Sequence, residues 1–316
     1  MHIQLISPAK FDSRNGNRTT AVRWRNILQS LGHRVTVSQK YLGQDADIML
    51  ALHAWRSADS IQLFAKKFPT RPLLVALTGT DVYRFLYSHA QQTLTSIQHA
   101  DRLIGLHANI ASSIPQEFNE KVRVIFQSTE TKLTRRTNKQ KDFQVCIAGH
   151  LRAEKDSLRP AYAVRSLPSY SAIKISHYGK AHSKNWEDKA RLEMAKNRRY
   201  HWYGEISQSL LQKKFAQSDL LVLPSLMEGG ANIISEAIIA QLPVVTSNIV
   251  GSIGLLGENY SGYFNVGNSD SLKQMLLRCE SNNKFYQSLV HQCNSRRLLF
   301  TPSREKSSWK KLIAEL

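Results

Sequence analysis

The sequence predicts an α/β protein built of two doubly wound, Rossmann-like domains facing a cleft. Three observations predict it. Short apolar runs alternate with amphipathic helical stretches along the whole chain, which is the pattern of parallel sheets covered on both faces. The pattern is broken once, by the basic, non-periodic segment 131–141, and then restarts. The 316 residues are enough for two domains of ordinary size, and the 42% apolar content suits a packed core.

Strands are expected near residues 2–7, 34–38, 47–52, 73–77, 102–106 and 122–126. The first connecting helix is expected at Arg18 to Leu31, where Ala21, Trp24, Leu28 and Leu31 recur on one face. These elements make an N-terminal domain of residues 1–130. The segment 131–141 holds five basic and no acidic residues and reads as a linker. A second domain, 142–300, follows with strands near 143–148, 173–178, 200–203, 219–223 and 243–246. Residues 301–316 form a terminal helix that either crosses back to the first domain or docks locally.

Composition narrows the function. The net charge of +19 is compatible with nucleic acid, an anionic membrane or small anions as partners. The basic segment lacks interleaved aromatics and any nucleic-acid-binding motif, so no nucleic-acid partner is expected. The longest apolar runs fall far short of a span, so no stable membrane insertion is expected. His2 to Ser7 reads as a first strand and lacks the pattern of a leader, which makes a cytoplasmic location the default. Cys146, Cys279 and Cys293 have no metal-ligand spacing, and Cys146 lies in an apolar strand as a structural thiol. The 11 histidines are scattered. No metal and no other cofactor is expected.

The segment Glu228-Gly-Gly-Ala-Asn-Ile-Ile-Ser-Glu236 carries the chemistry. It lies between an apolar strand ending at Pro224 and the run Pro243-Val-Val-Thr, at the carboxyl end of a strand where open α/β sheets bind ligands. Glu228 is expected in the loop, the amides of Gly229, Gly230, Ala231 and Asn232 at the helix start, and Glu236 about two turns inside. The carboxylates would then lie roughly 10–12 Å apart, the reach of a diphosphate-linked sugar, with the helix amides placed for the diphosphate. The alternative is two solvated carboxylates on an amphipathic helix. Gly149-His-Leu-Arg-Ala-Glu-Lys155 follows the first strand of the second domain. Arg152 and Lys155 are candidates to neutralise a leaving diphosphate, with Gly149 and His150 beside it.

On these motifs the second domain resembles the retaining GT-B glycosyltransferases of the GT4 type, whose Gly-Arg-x-x-x-x-Lys loop matches here at Lys155 but has His150 in place of Arg. The segments Ser13 to Thr20, Leu77-Thr-Gly-Thr-Asp81, Ala51-Leu-His-Ala-Trp-Arg-Ser57, Gly254-Leu-Leu-Gly257 and Gly262-Tyr-Phe264 extend the resemblance, over nearly the whole chain, to the selenosugar synthase family of selenoneine biosynthesis. That resemblance implies transfer of a sugar, N-acetylglucosamine, from a UDP-sugar to selenophosphate with formation of a carbon–selenium bond. It also implies that Lys155, Arg152 and Glu228 are catalytic, and that Gly149, His150, Gly229, Gly230, Ala231, Asn232 and Glu236 bind the donor.

A soft, anionic nucleophile needs cations more than a base. The polar loop and helix start Arg14, Asn15, Gly16, Asn17 and Arg18 suit its oxyanion, with Thr78, Gly79, Thr80 and Asp81 lining the same acceptor side. Arg14 and Arg18 as plain surface charge, and Asp81 as a helix cap, are the alternatives. His53 and Arg56 follow the third strand and could reach the cleft; a lone histidine after a strand is more often a satisfied core or surface residue. Two other functions stay open on sequence: a conventional GT4-type transfer to a lipid or glycan hydroxyl at an anionic membrane, and a nucleic-acid-binding protein on a degenerate scaffold.

Overall fold

A computed structural model describes residues 1–9, 16–131, 133 and 141–316. It divides into two compact units, the first made of Met1–Ser128, Glu228–Asn232 and Thr301–Leu316, the second of Thr129–Met227 and Ile233–Phe300.

The first unit holds a six-stranded parallel sheet of β1 (His2–Ile6), β2 (Arg34–Ser38), β3 (Ile48–Leu52), β4 (Leu73–Leu77), β5 (Arg102–Gly105) and β6 (Val122–Val124), in the order β2-β1-β3-β4-β5-β6. Its inner strands β3 and β4 are apolar on both sides because both faces are covered there. Ile3, Leu5, Ile48, Leu50, Leu52, Leu74 and Ala76 form one core with Ala21, Trp24 and Leu28 of the helix Gly16–Ser30 and with Trp309 and Leu312 of the helix Pro302–Ala314. The alternate residues, including Met49, Ala51, Val75 and Leu77, face Ile61 and Phe64 of the helix Ala58–Lys67 and Ile97 of the helix Ala90–His99.

A buried carboxylate ties the C-terminal helix into this unit. Glu305, fully enclosed, accepts hydrogen bonds from Trp24 Nε1 at 2.7 Å and from the backbone N–H of Ser128 at 2.7 Å. Trp309 meets Trp24 edge to face, ring centroids 4.8 Å apart.

The second unit is also parallel: β7 (Phe143–Ala148), β8 (Ile173–Tyr178), β9 (Tyr200–Trp202), β10 (Leu220–Leu223), β11 (Val244–Ser247) and β12 (Tyr263–Phe264), ordered β12-β11-β10-β7-β8-β9. The apolar run at 145–148 sits in the central strand, where Cys146 is buried and burial pushes its thiol up to about 12. Two details differ from expectation. The first helix already includes Gly16, ahead of the expected Arg18, and the two-residue β12 was not expected as a strand. A strand that short has no periodicity to read. Among the described residues, no helix is long and apolar enough to cross a membrane.

Candidate active site

In each sheet the strand order reverses once, and such reversals open crevices at the carboxyl ends of the flanking strands. In the second unit the reversal falls between β7 and β10. The loops leaving these two strands are the ones that carry Gly149–Lys155 and lead into Glu228. They are hydrogen bonded to each other, Leu226 N–H donating to the carbonyl of Glu154 at 2.9 Å.

Within the β7 loop Gly149 runs backbone against backbone with Gly179, where a Cβ on residue 179 would lie 2.0 Å from the Gly149 carbonyl oxygen. The side chain of Lys155, on a single 3-10 turn Ala153–Lys155, passes Gly149 with its Cδ 3.9 Å from where a Cβ would stand. Arg152 opens that turn, and its Nε is buried without a hydrogen-bond partner among the described residues. The ring of His150 accepts the backbone N–H of Lys180 on Nδ1 at 3.0 Å. A neutral ring there carries its proton on Nε2 and is a donor where the resembled family has a cation. Burial and the nearby Arg152 lower the pKa of His182, whose ring lies 5.2 Å from that of His150.

The helix after β10 runs Asn232–Ile239. Glu236 therefore sits a little over one turn inside it, not two, because Gly229 and Gly230 remain in the loop. Its carboxylate accepts Gln208 Nε2 at 2.8 Å.

The five residues Glu228–Asn232 group with the first unit, and they pack there by glycine. A Cβ on Gly229 would lie 2.2 Å from the carbonyl carbon of Thr78, and one on Gly230, at φ +157°, would lie 2.3 Å from Leu106 Cβ. Asn232 accepts a hydrogen bond from Arg23 Nη1 at 3.1 Å. The predicted donor residues Gly229 and Gly230 are thus brought against the predicted acceptor residues Thr78 and Gly79.

The turn 78–81 is organised by Asp81. Its buried carboxylate accepts the backbone N–H groups of Ala54, Thr78, Gly79 and Val82, at 2.7 to 3.2 Å. A carboxylate so enclosed holds the turn in shape, the role expected of it as the alternative to acceptor contact. A π-helical turn, Asp81–Phe85, follows. Tyr83 on this turn bonds His107 Nε2 at 2.9 Å. Burial pushes the Tyr83 hydroxyl up to about 12, with the Asp81 and Glu228 carboxylates adding to the rise, and burial holds His107 down at about 4.

Sequence reasoning missed Tyr83 and His107, which carry no motif of their own. Gly16, Asn17 and Arg18 open the helix Gly16–Ser30. Arg14 and Asn15 lie outside the described residues. Among the described residues, no group of three or more His, Cys, Asp or Glu side chains could hold a metal ion.

Comparison with known proteins adds the family. The model of the family described as glycosyl transferases group 1 matches residues 128–295. Among solved structures, HepE from Anabaena in complex with UDP superposes with a TM-score of 0.79 at 15% identity, covering 100% of both chains. A sucrose-phosphate synthase from Thermosynechococcus elongatus gives 0.78 at 14% identity, covering 99% of this chain and 98% of that one. A glycosyltransferase from Rickettsia africae gives 0.75 at 12% identity with the same coverage. At such identities the likeness is one of fold. No curated protein sequence matches significantly.

Proposed function

The chain belongs to the glycosyl transferases group 1 family, and from that premise we propose that it transfers N-acetylglucosamine from UDP-N-acetylglucosamine to selenophosphate. The observation that carries the donor half is the meeting of the β7 and β10 loops at the reversal point of the second sheet. One loop brings Arg152 and Lys155, and the other leads to Glu228 and to a helix start whose amides suit a diphosphate. That HepE was solved with UDP supports a uridine nucleotide as the leaving group.

The reaction follows from these groups. A lone pair of selenium attacks the anomeric carbon, the bond from that carbon to the diphosphate oxygen breaks, and the electron pair leaves with UDP. The diphosphate gains charge as it departs, and Lys155, Arg152 and the amides of Gly229 to Asn232 offset that charge. Glu236 takes the ribose diol, and Glu228 takes hydroxyls of the sugar. The acceptor is already an anion, so it needs cations and N–H donors and no base; we assign its oxygens to Arg14, Gly16, Asn17 and Arg18 of the polar segment, with Thr78 and Thr80 as further contacts. The motifs of the first domain, from Ser13 to Thr20 and from Leu77 to Asp81, support selenophosphate over a hydroxyl acceptor.

Incubation of the protein with a panel of UDP-sugars and selenophosphate, read by mass spectrometry, tests this. A selenium-bearing sugar formed with release of UDP is expected. Product from a lipid or glycan hydroxyl with none from selenophosphate would replace the acceptor assignment and keep the donor site.

A further inference from the structure

The reversal point of the first sheet lies between β1 and β3, and His53 stands at the carboxyl end of β3. Its backbone is left-handed, φ +74°, a conformation that among the described non-glycine residues only Asp156 and Gln241 share. Side chains other than glycine, asparagine and aspartate rarely adopt it, and where they do the surroundings enforce it, often at a functional position. Here the backbone on both sides is anchored, His53 N–H donating to the carbonyl of Ala76 at 2.9 Å and Ser57 N–H to that of His53 at 3.1 Å. The kink turns the imidazole inward, where it is 2% exposed.

The ring's proton can be assigned from its partners. Nδ1 receives the backbone N–H of Arg56 at 3.2 Å and must act as the acceptor. The neutral ring therefore carries hydrogen on Nε2, which lies 3.0 Å from Thr80 Oγ1. Thr80 Oγ1 is the acceptor in that bond. Its own hydrogen is consequently directed away from the ring, and Thr80, like Thr78, is a half-buried residue of the turn whose Gly79 packs on Gly229. The turn itself is held by the backbone bonds to Asp81, so His53 is not needed to build it.

We propose that His53 is a positioning residue that fixes the Thr80 hydroxyl as a hydrogen-bond donor to an anionic oxygen of the acceptor. This rests on the reading of the 78–81 turn as the acceptor side. A freely rotating hydroxyl must give up its rotational freedom to donate to an incoming oxyanion; one that already accepts from Nε2–H is oriented with its hydrogen outward beforehand. Loss of Thr80 removes one charge-assisted hydrogen bond from the bound acceptor, and loss of His53 leaves that bond without its preset orientation.

The test is steady-state kinetics of the full chain with selenophosphate and the UDP-sugar varied separately, for Thr80→Val, Thr80→Ser, His53→Asn and the double variant Thr80→Val with His53→Asn. Asparagine tolerates the left-handed backbone but cannot reach Thr80 from Cγ in place of the ring. Thr80→Val and His53→Asn are each expected to raise the KM for selenophosphate roughly tenfold to a hundredfold. Thr80→Ser should restore it, the double variant should be no worse than Thr80→Val, and the KM for the UDP-sugar should hold within about twofold.

A normal selenophosphate KM in His53→Asn, with a raised one in Thr80→Val, would remove His53 and leave the acceptor reading intact. A rise confined to the UDP-sugar KM in both would overturn the acceptor reading and the proposal together. Nitrogen-15 spectra of the imidazole rings in the wild-type protein give a readout independent of turnover and of whether His53→Asn folds. The Nε2–H tautomer is expected for His53, and the Nδ1–H tautomer would overturn the proposal.

Discussion

Substitution of Gly229 by alanine puts one methyl group where the structure leaves no room. The new Cβ would lie 2.2 Å from the carbonyl carbon of Thr78, 2.3 Å from the Gly79 nitrogen and 2.4 Å from the Thr78 oxygen. All three are backbone atoms of a turn held by the buried Asp81, so no side chain can swing aside. Ordinary contact begins at 3.4 Å, and one of the two backbone segments must retreat by about 1 Å, a displacement that in a reacting site costs on the order of a hundredfold in rate. That factor corresponds to about 2.7 kcal/mol of transition-state stabilisation, while the same overpacking should cost about 1–3 kcal/mol of stability. Wild type and Gly229→Ala would be compared by kcat/KM with the best UDP-sugar and by urea denaturation at the same pH. A kcat/KM within about twofold of wild type would refute the reasoning, since it would mean that the Glu228 loop and the 78–81 turn do not need their close approach.

Other expectations are simpler. Lys155→Ala should lower kcat by about a hundredfold, whereas Glu236→Gln should act mainly on the UDP-sugar KM, by roughly tenfold; single-turnover and steady-state assays separate the two. Glu305→Ala removes the acceptor of two buried N–H donors, those of Trp24 and Ser128, and should destabilise the protein by about 3–5 kcal/mol in urea titration. Stability should also fall with acidity. Burial depresses the buried His107 and His177 to about 4 from an unfolded value of 6.5, so below pH 6.5 the unfolded chain binds protons that the folded chain refuses. Their contribution is complete above pH 6.5 and is lost down to about pH 4, by roughly 2 kcal/mol for each histidine between pH 7.5 and 5. A urea midpoint that stays level over that range would contradict it.

The strands were readable because they are buried on both faces, and a run such as Leu73 to Leu77 admits no other placement once its ends are turns. The placement of the two loops expected to bind a donor was readable for a related reason: a glutamate, two glycines and a helix between two such strands form one local unit, and both loops flank the reversal point. What was hidden depends on contacts distant in sequence. Gly229 meets Thr78 across about 150 residues of chain, and glycine has no side chain to advertise a contact. His53 gives no hint in sequence of its left-handed backbone, which is imposed by bonds to Ala76 and Ser57. Asp81 looks the same in sequence whether it reaches a ligand or holds a turn. Its hold on the turn becomes visible only in the four amides around it.

The enclosed Glu305 has a consequence for how the protein is made. Trp24 leaves the ribosome well ahead of the carboxylate that receives its indole N–H, which arrives 281 residues later on the helix Pro302–Ala314 together with the ring that covers it. During synthesis the first sheet therefore waits with that core open. At a typical elongation rate the wait lasts on the order of 15–60 s. Chains released before residue 301 would expose Trp24 and a strip of apolar side chains around it, a surface of the kind that chaperones and proteases act upon.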